Sequence, residues 1–322
     1  MITRSAFRPA WWLPGPHLQT LFPSLFRQRR PPPLTRERLE LPDGDFLDLE
    51  WTGSGPGDTV LVLHGLEGSL ESHYTGGMLA VLAQQGYTAC LMYLRGCSGE
   101  PNRLPYSYHS GKTEDLDYVV QTIQQRLPQQ PLSIVGFSLG GNILLKWLGE
   151  KGEAARIHTG VAISVPFDLN QAALQLERGL SRIYQHHLVN KLHAAAQRKA
   201  ATHPLPWSAE RIHELRTFRR FDNEITAPLN GFRDVDDYYA RASSKQYLKS
   251  IRVPTLLIQA MDDPFLPASA LPTNDDLSPA VTLELSRHGG HVGFVSGNNP
   301  LHPRYWLEQR VIRHLAVQPD QR

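Results

Sequence analysis

Cysteine is scarce in this sequence of 322 residues, which contains only Cys90 and Cys97. Their spacing fits neither a disulfide framework nor a zinc site. Two free thiols are typical of a reducing compartment, so we expect a cytoplasmic protein. Because no strand-like run leads into a G-x-G-x-x-G or Walker A motif and H-E-x-x-H does not occur, the sequence predicts no nucleotide, cofactor or metal site.

Long apolar runs are also missing, since none approaches the roughly 20 residues that a membrane-spanning helix needs. The first residues are interrupted by Pro9, Pro14 and Pro16 and lack the continuous apolar stretch of a signal peptide. A net charge of +2 gives no excess of one sign that would attract nucleic acid. The adjacent Trp11 and Trp12 leave peripheral contact with a membrane open, and oligomeric state is left open as well.

Short apolar runs alternating with helical patterns dominate the rest of the chain. A predicted hairpin at 38–51 comes first, and buried strands are then expected at 59–63, 87–93, 132–136, 161–165, 255–259 and 281–285. Helices are predicted between them, at 78–85, 115–126 and 142–148, with a last one at 305–315. This alternation predicts an α/β-hydrolase fold: a mainly parallel sheet with helices on both faces.

The alternation fails between residues 166 and 250. This stretch shows helical patterns at 171–184, 189–200 and 208–218 and nothing resembling a core strand. We therefore expect a helical lid at 166–250, inserted into a core formed by 1–165 and 251–322, with 1–35 as an N-terminal extension. Such an insertion can cover the edge of the sheet where the strands end and where sites of open α/β sheets lie.

The strongest chemical signal is the Gly-Phe-Ser-Leu-Gly motif at 136–140, placed after a strand and before a helix. A nucleophile on such a strained turn needs small neighbours, and the glycines supply the room. Ser138 is therefore the predicted nucleophile. The backbone N–H of Leu139 and that of Leu66, in the loop after strand 59–63, are the predicted oxyanion donors. His64 at the start of that loop is expected to be structural.

Two further loops that follow strands supply a base and an acid. His291, at the end of His-Gly-Gly-His after the last strand, is favoured as the base, with His288 as the alternative. Asp263, after strand 255–259, is favoured over Asp262 as the acid that orients the imidazole. The order serine, aspartate, histidine is that of α/β-hydrolases.

Several motifs carry a resemblance to one branch of this superfamily, the YheT-like hydrolases, which are similar to mammalian abhydrolase-domain lipid hydrolases and plant embryogenesis-associated proteins. They lie at 16–20, 41–45, 64–68, 95–99, 108–111, 135–142, 218–222, 238–239 and 288–294. The resemblance implies hydrolysis of short- to medium-chain or lipid-like carboxylic esters, with the triad on Ser138, Asp263 and His291. Thioesterase, amidase or acyltransferase activity on the same triad, and a non-catalytic binding protein that kept the fold, are the alternatives.

Overall fold

The computed structural model describes residues 1–27, 31–53 and 57–316. Its centre is a sheet of nine strands: β1 (Ile2–Arg4), β2 (Leu34–Glu40), β3 (Phe46–Thr52), β4 (Thr59–Leu63), β5 (Thr88–Met92), β6 (Leu132–Phe137), β7 (Thr159–Ile163), β8 (Thr255–Ala260) and β9 (Val281–Ser286). Two short strands, β10 (Val295–Ser296) and β11 (Arg304–Tyr305), pair separately.

The helices are α1 (Pro16–Phe26), α2 (Thr75–Gln84), α3 (Thr113–Arg126), α4 (Leu139–Lys151), α5 (Leu169–Leu176), α6 (Ser181–Ala200), α7 (Ala209–Glu214), α8 (Phe218–Phe221), α9 (Ala227–Leu229), α10 (Val235–Ala242) and α11 (Trp306–Leu315). A π-helical turn, Asp222–Thr226, joins α8 to α9. Single 3-10 segments lie at Gly152–Ala154, Lys245–Ser250, Ala268–Ala270 and Asn274–Asp276.

The strand order is β1-β9-β8-β7-β6-β4-β5-β3-β2. In this sheet β3 runs antiparallel to both of its neighbours, and the other pairs are parallel. Strand β4 illustrates how both faces are covered: Leu61 and Leu63 pack into the core cluster on one face, while Val60 and Val62 pack into the cluster on the other. The predicted fold class is confirmed.

The chain order reverses between β4 and β6, which are neighbours in the sheet although β5 separates them in sequence. Ligand sites of open α/β sheets lie at such a switch point, outside the carboxyl ends of the strands. The fold therefore brings the loop after β4 and the turn after β6 together at one edge.

Between β7 and β8 the chain forms helices α5 to α10, but all three predicted helices in this stretch have wrong boundaries. The predicted helix at 171–184 is broken, because Gly179 adopts a φ of 49° between α5 and α6. Conversely, α6 runs without interruption through the gap that was expected before residue 189. The helix expected at 208–218 ends at Glu214.

The N-terminal residues contribute two elements that the sequence patterns did not predict. Strand β1 pairs in parallel with β9, Ile2 opposite Leu283, and the amino group of Met1 donates to the carbonyl oxygen of Val281 at 2.6 Å. Helix α1 follows and packs beside the loop after β9. None of the helices in the described ranges is both long and apolar enough to cross a bilayer.

Candidate active site

Ser138 occupies a strained turn between β6 and α4. Its φ of 51° and ψ of −117° lie in a region that L-residues other than glycine rarely adopt. A Cβ on Gly136 would lie 2.6 Å from the carbonyl oxygen of Gly140, and one on Gly140 would lie 2.5 Å from that of His64. Both glycines are therefore required for the close approach of strand, turn and neighbouring loop.

The structure brings the three predicted side chains into one hydrogen-bonded row. Ser138 Oγ lies 2.9 Å from His291 Nε2, and His291 Nδ1 lies 2.9 Å from Asp263 Oδ2. Because an ionised carboxylate only accepts hydrogen bonds, Nδ1–H donates to Asp263, and Nε2 is left to accept the Ser138 hydroxyl proton. Such a row can raise the nucleophilicity of a serine oxygen.

The carboxylate of Asp263 is buried and held by further donors. Its Oδ1 accepts the backbone N–H of Phe265 at 2.8 Å, and its Oδ2 accepts Gln259 Nε2 at 3.2 Å. The same Gln259 accepts the backbone N–H of Val165 at 2.9 Å through Oε1. A buried charge needs such partners, and these donors come from the end of β8 and the turn that follows it.

The two alternative residues form a separate pair. His288 Nδ1 lies 3.3 Å from Asp262 Oδ2, and Asp262 Oδ1 accepts the backbone N–H of Gly290 at 3.1 Å. The His288 side chain is 57% exposed. Neither residue joins the row that contains Ser138, and Asp262 instead braces the loop that carries His291.

The two predicted oxyanion donors lie beside Ser138. Leu139 opens α4, where the first N–H groups have no acceptor within the helix. The loop after β4 passes close to the nucleophile, since a Cβ on Gly65 would lie 3.2 Å from that of Ser138. In this loop the N–H groups of Gly65 and Glu67 donate to Tyr74 and Tyr108. The N–H of Leu66 donates to no acceptor within the described part of the chain.

His64 has the structural role expected of it. Its Nδ1 donates to the carbonyl oxygen of Gly65 at 2.7 Å, and its Nε2 accepts the backbone N–H of Leu94 at 3.0 Å. Burial lowers the pKa of His64 to about 4, which keeps the ring neutral. The imidazole thus fastens the loop after β4 to the loop after β5.

Helix α1 clamps the loop that carries His291, a feature that sequence reasoning missed. Thr20 Oγ1 accepts the backbone N–H of His291 at 2.9 Å and donates to the carbonyl oxygen of Pro16 at 2.8 Å. Gln19 Oε1 accepts the N–H of Val295 at 2.8 Å. Gly290 presses directly on α1. The motif at 16–20 was the available signal, but nothing local indicates which part of the chain it contacts.

Aromatic rings fix the plane of the imidazole. The rings of Phe265 and His291 are stacked, with centroids 3.8 Å apart and an interplanar angle of 2°. Tyr184 of α6 packs on Phe265, and its hydroxyl lies 3.0 Å from His17 Nδ1 in α1. The base is therefore supported from the acid turn, from α6 and from α1.

A cavity of about 170 Å³ opens beside the row. Its wall is largely apolar and comes mostly from α5, α6 and the helical turns that follow: Leu169, Ala172, Ala173, Leu176, Leu188, Leu192, Ala195, Ala196, Phe218, Phe221, Ile225 and Leu229. Such a wall fits a hydrocarbon chain rather than a charged ligand.

Among the ionisable groups in this wall, Asp222 and Lys199 form hydrogen bonds with neighbouring residues. The Asp222 carboxylate accepts the hydroxyls of Tyr239 at 2.7 Å and Thr226 at 2.6 Å, and burial raises its pKa to about 6. The Lys199 ammonium donates to the carbonyl oxygen and side chain of Asn102, and burial lowers its pKa to about 8. No cluster of metal-ligand side chains occurs within residues 1–27, 31–53 and 57–316.

A sequence profile of the α/β-hydrolase fold family matches residues 58–298, so the chain belongs to that family. It is 42% identical to "Putative esterase YheT" of Escherichia coli (strain K12), over 92% of this chain and 88% of that protein. It is 28% identical to the mouse (Mus musculus) protein named phospholipase ABHD3, over 92% and 75%. The resemblance to YheT-like hydrolases is confirmed.

Among solved structures, the Pyrococcus furiosus esterase Pf2001 superposes with a TM-score of 0.59 and 20% identity, covering 88% of this chain and 90% of that one. At this identity the likeness concerns the fold alone. The family match and the sequence relatives show that the chain is a hydrolase of the α/β class.

Proposed function

We propose that the protein is a serine esterase that cleaves carboxylic esters through an acyl-enzyme on Ser138. The observation that carries the proposal is the row Ser138–His291–Asp263, with both hydrogen bonds at 2.9 Å, beside an apolar cavity. The esterase and phospholipase names of the two sequence relatives support the same class of reaction.

In acylation, His291 Nε2 takes the hydroxyl proton while Ser138 Oγ bonds to the ester carbonyl carbon. The backbone N–H groups of Leu66 and Leu139 donate to the oxyanion that forms. Asp263 stabilises the imidazolium. When the tetrahedral intermediate collapses, the C–O bond to the alcohol breaks, and the proton on Nε2 passes to the leaving oxygen.

In deacylation, water enters the position of the alcohol and gives a proton to His291 Nε2 as its oxygen attacks the acyl carbon. Collapse of the second intermediate releases the carboxylic acid and returns the proton to Ser138 Oγ. Every proton is held by one imidazole, so this scheme uses no cofactor.

The acyl side of the substrate is a short- to medium-chain or lipid-like group. Burial of each methylene against an apolar wall contributes about 0.8 kcal/mol. The leucine and alanine side chains of α5 and α6 provide such a wall next to Ser138. We assign these helices, with the rest of residues 166–250, to a lid over the carboxyl end of the sheet.

The decisive experiment compares matched substitutions in the full chain. Ser138→Ala is expected to abolish both labelling by a fluorophosphonate and hydrolysis of p-nitrophenyl butyrate. Asp263→Asn is expected to lower kcat by about 10⁴-fold, since the imidazole then takes the wrong tautomer. The neighbouring Asp262→Asn and His288→Ala serve as controls and should retain most of the activity.

Ester hydrolysis that persists in Ser138→Ala would refute the nucleophile. Equal losses in Asp263→Asn and Asp262→Asn would refute the acid. Acyl-CoA thioesters and anilides, measured beside esters of the same acyl chain, separate the thioesterase and amidase alternatives. A kcat/KM for either that exceeds the ester value would replace the esterase assignment.

A further inference from the structure

Positive charge is concentrated in two segments of the chain. Residues 1–36 contain six arginines and no acidic residue, and residues 178–208 contain five lysines and arginines and again no acidic residue. The net charge of the whole chain is only +2, so the remainder is acidic. These two segments contain α1 and α6, which contact one another in the fold.

Both helices expose large apolar side chains. On α1, Leu18, Leu21 and Leu25 have the spacing that places them on one face of a helix, and that face is exposed to solvent. At the start of α6 the exposed apolar residues are Ile183 and Leu180, which directly precedes the helix. The exposed fractions are 69% for Leu25, 68% for Phe26, 60% for Leu180 and 62% for Ile183.

The two sets belong to one continuous surface. His17 of α1 and Tyr184 of α6 are hydrogen-bonded at 3.0 Å with stacked rings. Their chain neighbours Leu18 and Ile183 both face outward. We call the residues Leu18, Leu21, Leu25, Phe26, Leu180 and Ile183 the two-helix surface. Exposed apolar groups that cluster in this way mark an interaction site in soluble proteins.

The charges around this surface select the kind of partner. Arg178 and Arg182 flank its α6 part, both are exposed, and neither forms an ion pair with another described residue. Trp11, which precedes α1, is 72% exposed. Apolar side chains with unpaired arginines and a tryptophan are the composition of helices that lie in the interface of an anionic bilayer. We propose that the two-helix surface docks the enzyme on anionic lipid bilayers.

The two-helix surface lies near the candidate active site, so docking would bring that site close to lipid substrates. This role rests on the proposed function. Helix α1 holds the backbone of His291 through Thr20, and Ser181 in the first turn of α6 donates to the carbonyl oxygen of Pro264, beside Asp263. A bilayer in contact with the two-helix surface therefore lies at the active-site end of the molecule. Lipid-like esters would reach Ser138 without crossing bulk water.

The test uses full-length protein carrying Ser138→Ala, so that binding is measured without turnover. We expect co-sedimentation with vesicles of phosphatidylcholine and phosphatidylglycerol, at least tenfold weaker binding to phosphatidylcholine alone, and weakening by added salt. The double variant Leu25→Ser/Phe26→Ser should lower the partition coefficient at least tenfold, whereas Leu25→Ile/Phe26→Leu should not. Circular dichroism melting checks that each variant is folded.

The contribution of the arginines to vesicle binding is tested with a matched pair of variants. Arg182→Glu should weaken binding to the anionic vesicles at least fivefold. Arg156→Glu alters an exposed arginine just before β7, at the opposite edge of the sheet, and should have no effect.

Three results would overturn the proposal. They are no vesicle binding by the parent protein, equal losses in Arg182→Glu and Arg156→Glu, or a dimer in sedimentation equilibrium that Leu25→Ser/Phe26→Ser dissociates. The last would make the surface a contact between copies of the chain. Hydrolysis of soluble p-nitrophenyl butyrate by the same variants, with Ser138 restored, tests the esterase separately, since a failed docking leaves that activity intact.

Discussion

Among the described residues, the non-glycine positions with positive φ all lie around the candidate active site. In the described ranges, the non-glycine residues with positive φ are Glu67, Ser138, Ser164, Val292 and Phe294. They lie in the loops after β4, β6, β7 and β9, whose ends form one edge of the sheet. Each such residue costs on the order of 1–3 kcal/mol and persists only where surrounding contacts fix it. The strained residues therefore lie in the loops that carry Ser138 and His291 or at the same edge of the sheet, and the proposed mechanism requires the geometry of those two residues.

The carboxyl group of Asp222 is held in an unfavourable state of another kind, because burial disfavours its charged form. Burial raises its pKa from 3.8 to about 6, although two hydroxyls donate to it. The folded chain therefore binds this proton more tightly than the unfolded chain. Its contribution to the free energy of unfolding is fully present below about pH 4 and is lost as the pH rises through 6.

Replacement of Asp222 by asparagine should remove this pH dependence. As the pH rises from 4 to 7, the free energy of unfolding of Asp222→Asn is expected to increase by up to about 3 kcal/mol relative to that of the parent. This change corresponds to a shift of roughly two pKa units. Urea unfolding at both pH values measures the change, with the exposed Asp275→Asn as control. A constant difference between Asp222→Asn and the parent across this range would contradict the expectation.

At the scale of elements, α1 is more than an appendage, because its buried residues Gln19 and Thr20 support the loop that carries His291. It supplies the acceptor for the His291 backbone through Thr20, and Gly293 approaches so closely that a Cβ there would lie 2.2 Å from the carbonyl oxygen of Gln19. The imidazole can keep its position only while this helix stays docked. Thr20 is thus a positioning residue for the base.

Thr20→Val keeps the shape of the side chain but removes the acceptor. The buried N–H of His291 then lacks a partner, at a cost of about 1–3 kcal/mol. We expect kcat for p-nitrophenyl butyrate to fall about tenfold, with KM nearly unchanged and an altered pH profile of kcat/KM. Thr20→Ser should restore both. Ser24→Ala, one turn later on α1, is the control. A rise in KM with unchanged kcat in Thr20→Val would argue against a positioning role.

The elements that the sequence predicted are those with a local signal. Strands β4 and β6 are buried on both faces, so each appears as a mostly apolar run. The break between α5 and α6 contains Gly179 with its left-handed φ, which the spacing of apolar residues does not reveal. Strand β1 has three residues and pairs with a segment about 280 positions away, so no local pattern indicates it.

At the scale of the whole molecule, the presence or absence of a local sequence signal also explains which parts of the candidate site could be predicted. Ser138, Asp263 and His291 each follow a recognisable strand, and parallel strands end at one edge, so their convergence could be inferred. The supports of His291 come from α1 and α6, which meet only in three dimensions. The site was therefore predictable where topology alone determines it.

The cavity also belongs to this scale, because helices 166–250 and the core close it jointly. Ala195 of α6 lines it, whereas the adjacent Ala194 is exposed to solvent. Ala195→Phe should fill part of the 170 Å³. We expect it to lower kcat/KM for p-nitrophenyl decanoate at least tenfold and to leave the acetate ester nearly unaffected.

The matched control is Ala194→Phe, which adds the same ring one position away and should leave both esters unchanged. Similar losses on acetate and decanoate in Ala195→Phe would indicate damage to the triad rather than a shortened acyl pocket. The ratio of the two kcat/KM values is the informative quantity.

Strand β1 has a consequence for how the chain matures. It is made well before its partner β9 and the His291 loop held by α1, which emerge from the ribosome about 280 residues later. Until then, β1 lacks its partner strand and α1 lacks its contacts with the His291 loop, and non-local pairings of this kind form slowly. A nascent chain released before residue 291 would contain Ser138 but not His291, so the proposed hydrolysis should become possible only after that loop has been made.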